Sequence, residues 1–178
     1  MATAPTPEQC LEMGQNCAFH NLRRASRAVT QVFDAFFDEI GLKATQFTVL
    51  AVLAHSEDAA PTVTSLAEAL VLEQSSLSRN LAVLERLGHL KLAPGPDDRR
   101  ERIVALTRSG RAMLAKGYPV WKRAQAAIAA ELDGDLEGHL RALRKMTRSA
   151  KALRPSKPAR AAAGPGRNTR KNSGSLRP

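Results

Sequence analysis

From position 74 to 80 the chain reads Gln74, Ser75, Ser76, Leu77, Ser78, Arg79 and Asn80, so every side chain but Leu77 can form hydrogen bonds and none is acidic. An amide or a guanidinium holds two hydrogen-bonding atoms in one plane and can meet a paired donor and acceptor, whereas a hydroxyl suits a single oxygen such as that of a phosphate. A second cationic cluster follows at Arg99, Arg100 and Arg102. These residue types hold a polyanion; they do not supply a nucleophile and its base. The four histidines, His20, His55, His89 and His139, are scattered. No His-Glu-x-x-His, phosphate-cradling glycine loop or cysteine pair at zinc spacing occurs, which argues against catalysis and leaves no cofactor or metal to expect. The two cysteines, Cys10 and Cys17, are too few for a disulfide scaffold.

The elements around these clusters follow from pattern. Thr6, Pro7 and Gln9 have helix-start grammar: an N-cap, a proline at the first position and a glutamine where a capping box needs it. Leu22, Ala25, Val29, Val32, Phe33, Phe36, Phe37 and Ile40 recur at spacings of three and four and end at Gly41. They predict one helix of about 25 to 30 residues, longer than a small domain's own core requires and so suited to a second subunit. A helix from Thr45 to His55 buries Phe47, Leu50, Ala51, Leu53 and Ala54, and residues 56–61 form a loop. Thr64 caps a short helix ending near Val71. A break at Val71, Leu72 and Glu73 leads into a helix from Gln74 to Leu87, with Leu77, Leu81, Leu84 and Leu87 inward and Gly88 at its end. Two short helices with a tight turn are helix-turn-helix grammar. Strands at residues 89–93 and 102–106, joined by a polar turn carrying Arg99 and Arg100, form a β-hairpin wing. Thr107 caps a helix containing Met113, Leu114, Tyr118, Val120, Trp121, Ala124 and Ile128, which Pro119 should kink. A last helix, about residues 135–153, shows Leu136, Leu140, Leu143 and Met146 on one face. The fold class is mainly α with a small β-hairpin: a winged helix-turn-helix between long N- and C-terminal helices.

Charge refines this picture. The chain has 178 residues and a formal net charge of +10, of which residues 155–178 carry +6 and residues 1–154 carry +4. An excess this large favours an anionic partner, most simply nucleic acid. Residues 155–178 are rich in proline, glycine and base and are expected to be a disordered basic tail adding weak, sequence-independent attraction to phosphates. The longest apolar run, residues 47–54, is far short of the roughly 20 residues that span a bilayer, and the first residues lack the pattern of a secretory signal, so a cytoplasmic location is expected.

The ordered set of motifs resembles the MarR family of dimeric winged-helix transcriptional regulators. The matching residues are Gly41 and Leu42 leading into Gln46; Leu66 to Leu70; Leu77 to Leu81; Leu84 to Leu90; Asp98, Arg99 and Arg100; and Val104 to Gly110. The resemblance implies a MarR-like domain over residues 15–154, with dimerisation helices at 15–41 and 107–154 and the winged helix-turn-helix at 45–106. Residues 1–14 are then an extension or the start of the first helix. It also implies a homodimer on an inverted-repeat operator in double-stranded DNA, repression as the commoner mode, and release by a small anionic or aromatic effector. Gln74, Ser75, Ser76, Ser78, Arg79 and Asn80 would read the major groove, with Arg99, Arg100 and Arg102 on the wing. Arg100 could also pair with Glu73. The family usually has Asp where Gly95 stands and Arg where Asp97 stands, so this wing tip is less basic than its relatives'. Glu73 is also a weaker helix cap than the family's usual residue.

An effector site would draw on Phe19, His20, Arg23, Arg24, Arg27, Phe47 and Trp121, because arginines beside aromatics can hold a carboxylate and a ring. The competing reading makes the phenylalanines core and interface, and the arginines solvated. Cys10 and Cys17 are seven apart and would share a face of a continuous helix, which allows a thiol-based redox regulator as an alternative. The organic-peroxide-sensing branch of the family keeps a cysteine near here, but its tyrosine partners are missing because Tyr118 is the only tyrosine. A non-specific nucleic-acid-binding protein is the remaining alternative.

Overall fold

The computed structural model describes residues 3–56, 60–96 and 98–153. The expected basic tail at 155–178 lies outside them, as do Asp97 and most of the loop between 56 and 61. The chain divides into two units, residues 1–136 and 137–178. The elements are α1 (Pro7–Asn16), α2 (Ala18–Phe37), a 3₁₀ turn (Asp38–Ile40), α3 (Ala44–His55), α4 (Val63–Leu70), α5 (Gln74–Arg86), β1 (Leu90–Pro94), β2 (Arg102–Leu106), α6 (Arg108–Ala130) and α7 (Leu136–Ala152). This is the expected mainly helical fold with one antiparallel hairpin. None of the described helices is long and apolar enough to cross a membrane.

The N-terminal helix is two helices. Thr6 and Gln9 close the expected capping box, with the Thr6 amide donating to Gln9 Oε1 at 2.9 Å and the Gln9 amide donating to Thr6 Oγ1 at 3.3 Å. At Cys17 the backbone turns extended (φ −74, ψ 113), ending α1 and starting α2. The Asn21 side chain makes this break affordable: its Nδ2 donates to the carbonyls of Gln15 (2.9 Å) and Cys17 (3.0 Å), replacing part of the lost ladder. The continuous helix of 25 to 30 residues is thus corrected to a 20-residue α2 behind a separate α1.

The core of the first unit gathers Phe37, Ile40, Leu42, Phe47, Val49, Leu50, Leu53, Leu66, Leu77, Leu81, Leu84, Leu90, Val104 and Val120. The rings of Phe37 and Phe47 lie 4.6 Å apart between centroids, and a side chain at Gly117 would collide with Phe47, so the glycine lets α6 close onto α3. Asp34 Oδ1 accepts from the Ala44 amide at 2.8 Å, capping α3 from α2. Arg123 of α6 also pairs with Glu39.

Several local expectations are corrected. Thr62, not Thr64, caps α4, its hydroxyl accepting from the Ser65 amide at 3.0 Å. Tertiary pairing selects it: Pro61 O accepts from the Val104 amide at 2.9 Å and Thr62 bridges to Ile103, so β2 fixes where α4 begins. Leu87 is 46% exposed rather than inward; it is the C-cap residue after α5 ends at Arg86, beyond the buried stripe of Leu77, Leu81 and Leu84. On α3, Ala51 is exposed and Val49 is fully buried in its place. Pro119, expected to kink its helix, lies inside α6 and does not end it.

Candidate nucleic-acid interface

The two short helices meet at a turn closed by the Leu72 amide donating to Ala67 O at 2.9 Å, with Val71 in the left-handed region (φ 54, ψ 40). From there α5 starts at Gln74. Its apolar stripe of Leu77, Leu81 and Leu84 is buried, which turns Gln74, Ser75, Ser78 and Arg79 outward. Glu73, the N-cap, makes no side-chain cap bond. Ser76 and Asn80 lie half-buried on the flank, with Asn80 Nδ2 donating to Ser76 O at 3.2 Å. Arg79 Nε donates to Ser75 O at 3.3 Å, so its guanidinium is drawn back toward the helix N-terminus. Ser78 Oγ donates to Gln74 O at 2.7 Å.

The wing is anchored to α5 and α6. β1 pairs with β2 in the register Leu90 to Leu106, Leu92 to Val104 and Pro94 to Arg102. Glu85 Oε1 accepts from the Leu92 amide at 3.0 Å, tying β1 to α5. At the hairpin base, Thr107 Oγ1 donates to Gly88 O at 2.7 Å and accepts from the Gly110 amide at 3.1 Å. His89 is buried there, its Nδ1 3.0 Å from Ser109 Oγ, and burial lowers its pKa from the ordinary histidine value. At the tip, the Gly95 amide donates to Glu101 O at 2.9 Å, and a side chain at Gly95 would lie 2.8 Å from Asp98 O. Asp98 Oδ1 accepts from the Arg100 amide at 2.8 Å, which shapes the turn presenting Arg99 and Arg100.

Between α4, the front of α5 and the wing lies a cleft of about 630 Å³, lined by Val63, Thr64, Gln74, Ser75, Ser78, Leu81, Ala82, Leu92, Arg100, Glu101 and Arg102. It brings together Gln74, Ser75, Ser78, Arg100 and Arg102 from the sequence-derived set. Ser76, Arg79, Asn80 and Arg99 lie outside its lining. Among the described residues no ion pair joins Arg100 to Glu73. The sequence pattern does not mark Thr64 and Glu101 as lining residues, since their types and places suit a helix cap and a turn.

The remaining candidates are spread out. Phe47 belongs to the core, whereas Phe19 is 72% exposed and His20, Arg23, Arg24 and Arg27 are exposed along α2. Trp121 stacks on Tyr118 on α6 at 5.8 Å. Cys10 is exposed and Cys17 half-buried at the α1–α2 break, so they do not share a face of one continuous helix. Cys17 and His20 line an open groove of about 550 Å³ with Glu12, Met13, Gly14 and Asn16.

Comparison with known proteins bears on this helix-turn-helix and wing. A MarR family profile matches residues 40–101. The crystal structure of the Mycobacterium tuberculosis transcriptional regulator MosR is 34% identical and covers 78% of this chain and 98% of its own, with a TM-score of 0.70. The chain belongs to the MarR family. MosR in complex with DNA is likewise 34% identical, covering 79% of this chain and all of its own at a TM-score of 0.70. Bordetella bronchiseptica BpsR, whose DNA binding is regulated by 6-hydroxynicotinic acid, is 25% identical over 75% of this chain and 94% of its own, with a TM-score of 0.65. A search of curated proteins finds no match. This MarR-family chain therefore has the winged helix-turn-helix of a transcriptional regulator, with its polar α5 face and wing arginines on one side.

Proposed function

We infer that this MarR-family protein is a sequence-specific DNA-binding transcriptional repressor that acts as a homodimer on an inverted-repeat operator and is released by a small anionic or aromatic effector. The observation that carries the reading is the cleft joining Gln74, Ser75 and Ser78 of α5 to Arg100 and Arg102 of the wing. An α-helix fits the major groove with its N-terminal residues at base edges, while a wing can follow the neighbouring backbone. Arg79 then reads guanine and Gln74 or Asn80 reads adenine. Ser75 and Ser76 hold phosphates, as do Arg99, Arg100 and Arg102, and Ser78 does so once its hydroxyl turns away from Gln74 O. MosR supports the partner, because this chain matches all of the MosR chain solved in complex with DNA, at 34% identity.

Dimerisation draws on the helices assigned to residues 15–41 and 107–154, outside the reading head at 45–106. Neither α1 nor α7 contains a buried residue, yet Leu11, Met13, Leu143 and Met146 are large, apolar and exposed. A second subunit would cover them. For the effector, BpsR offers the nearest chemistry in 6-hydroxynicotinic acid, an aromatic acid. The arginines of α2, beside Phe19 and His20, are the residues assigned to hold such a group.

The test is selection of bound duplexes from a random pool, followed by a screen of aromatic acids for release. Recovery of an inverted repeat with half-sites about one helical turn apart supports the reading. Equal retention of every sequence overturns it.

A further inference from the structure

The first turn of α4 touches the first residue of α5 through one side-chain pair. Gln74 Nε2 donates to Thr64 Oγ1 at 3.3 Å, and both residues are exposed on the wall of the cleft. The bond fixes the orientation of an amide that could otherwise present either of its ends outward. With one N–H spent on Thr64, Gln74 is left with Oε1 and its second N–H, the acceptor and donor that a bidentate contact with adenine requires. Thr64 in turn spends only a lone pair, because its hydroxyl accepts from Gln74 and no hydrogen bond from its own O–H is present among the described residues. That proton can be donated to a phosphate oxygen.

We propose that Thr64 is a positioning residue for sequence recognition: its hydroxyl holds the Gln74 amide in the base-reading orientation while donating to the DNA backbone. The proposal rests on the DNA-reading function inferred above. A phosphate contact carries no sequence information by itself. Through Thr64, the register set by the backbone is passed to the amide that reads the base. A freely rotating Gln74 could instead present its NH₂ group outward and accept a different base, so the Thr64 bond narrows the choice at one base pair.

The experiment compares wild-type protein with Thr64→Val, Thr64→Ser, Gln74→Ala and the Thr64→Val/Gln74→Ala double variant, all as full chains. Each is titrated with the duplex selected by wild type and with every single-base variant of one half-site. The readout is the affinity ratio between the preferred and the other bases at the Gln74 position. A bidentate contact gives discrimination of roughly five-fold or more. Thr64→Val is expected to reduce that ratio several-fold at this position alone. Thr64→Ser, which keeps the hydroxyl, is expected to restore it, and in the Gln74→Ala background Thr64→Val is expected to leave the ratio unchanged while weakening all duplexes alike through the lost phosphate contact. Valine matches threonine in shape at an exposed site, so the helices remain folded; an unchanged melting curve verifies this. If Thr64→Val weakens every duplex alike and leaves the ratio intact, Thr64 is only a backbone contact and the proposal falls while the function stands. If wild type itself selects no preferred sequence, both fall.

Discussion

Helices α5 and α7 carry the same kind of leucine stripe and use it in opposite ways. In α5, Leu77, Leu81 and Leu84 are at most 1% exposed, covered by α3, α4 and β1 of the same chain. In α7, Leu143 is 46% and Met146 44% exposed, Leu136 and Leu140 are half-buried, and no residue of the helix is fully buried. Spacing alone makes the two indistinguishable, since apolar residues three and four apart only require that something cover them. The difference lies in the cover. The winged helix-turn-helix is complete within one chain, which leaves the polar face of α5 free for a ligand. Leu143 and Met146 of α7 remain exposed in the single chain, which is where the dimer proposed above would be tested.

This contrast can be broken by experiment, and the largest effect is expected in the closed region. Leu81→Ala should cost about 2–5 kcal/mol of stability, read from denaturant unfolding, because it empties a fully buried site. A loss no larger than that of an exposed leucine would show that the α5 stripe is not the core. Leu143→Glu should leave the helical circular dichroism signal intact and convert the proposed dimer to single chains in sedimentation. Wild-type mass in that variant would mean that α7 does not need a partner.

On the polar face, Arg79→Ala should remove about 1–3 kcal/mol of discrimination at one base pair. Arg100→Ala should weaken all duplexes alike and reduce the salt slope by about one. Identical affinity profiles for the two variants across single-base operators would end that division of labour. The smallest effect concerns pH. Burial holds the His89 pKa below its ordinary value, so the unfolded chain binds the proton more readily. Stability conferred by neutral His89 should be complete above about pH 6.5, fall as the pH drops through that value and level off below the depressed folded pKa. His89→Gln should flatten this part of the melting profile between pH 7.5 and 5.5. An unchanged slope would mean that His89 is not the group responsible.

Much of this architecture was legible in the residues, and the failures are of two kinds. Thr6, Gln9, Thr107 and Gly88 were readable because caps act over three or four residues. The α5 stripe and the hairpin were readable from local periodicity. The break at Cys17 is supported by the Asn21 amide only four residues on, a local side-chain contact that apolar periodicity does not register, whereas the choice of Thr62 over Thr64 depends on a distant partner, β2. The interface was only half legible for the same reason. Gln74, Ser75, Ser78, Arg100 and Arg102 announce themselves by type, but the cleft that joins them, and the place of Thr64 and Glu101 in it, depend on how α4, α5 and the wing pack.

The central claim is that α5 and the wing read sequence rather than merely attract phosphate. The most direct test is the ratio of affinities for the selected inverted repeat and for random duplex of the same length, measured with the full chain at physiological salt. The account predicts a ratio of about 10³ or more, as specific regulators show. A ratio near one, with RNA or random duplex bound as tightly as the operator, would contradict it.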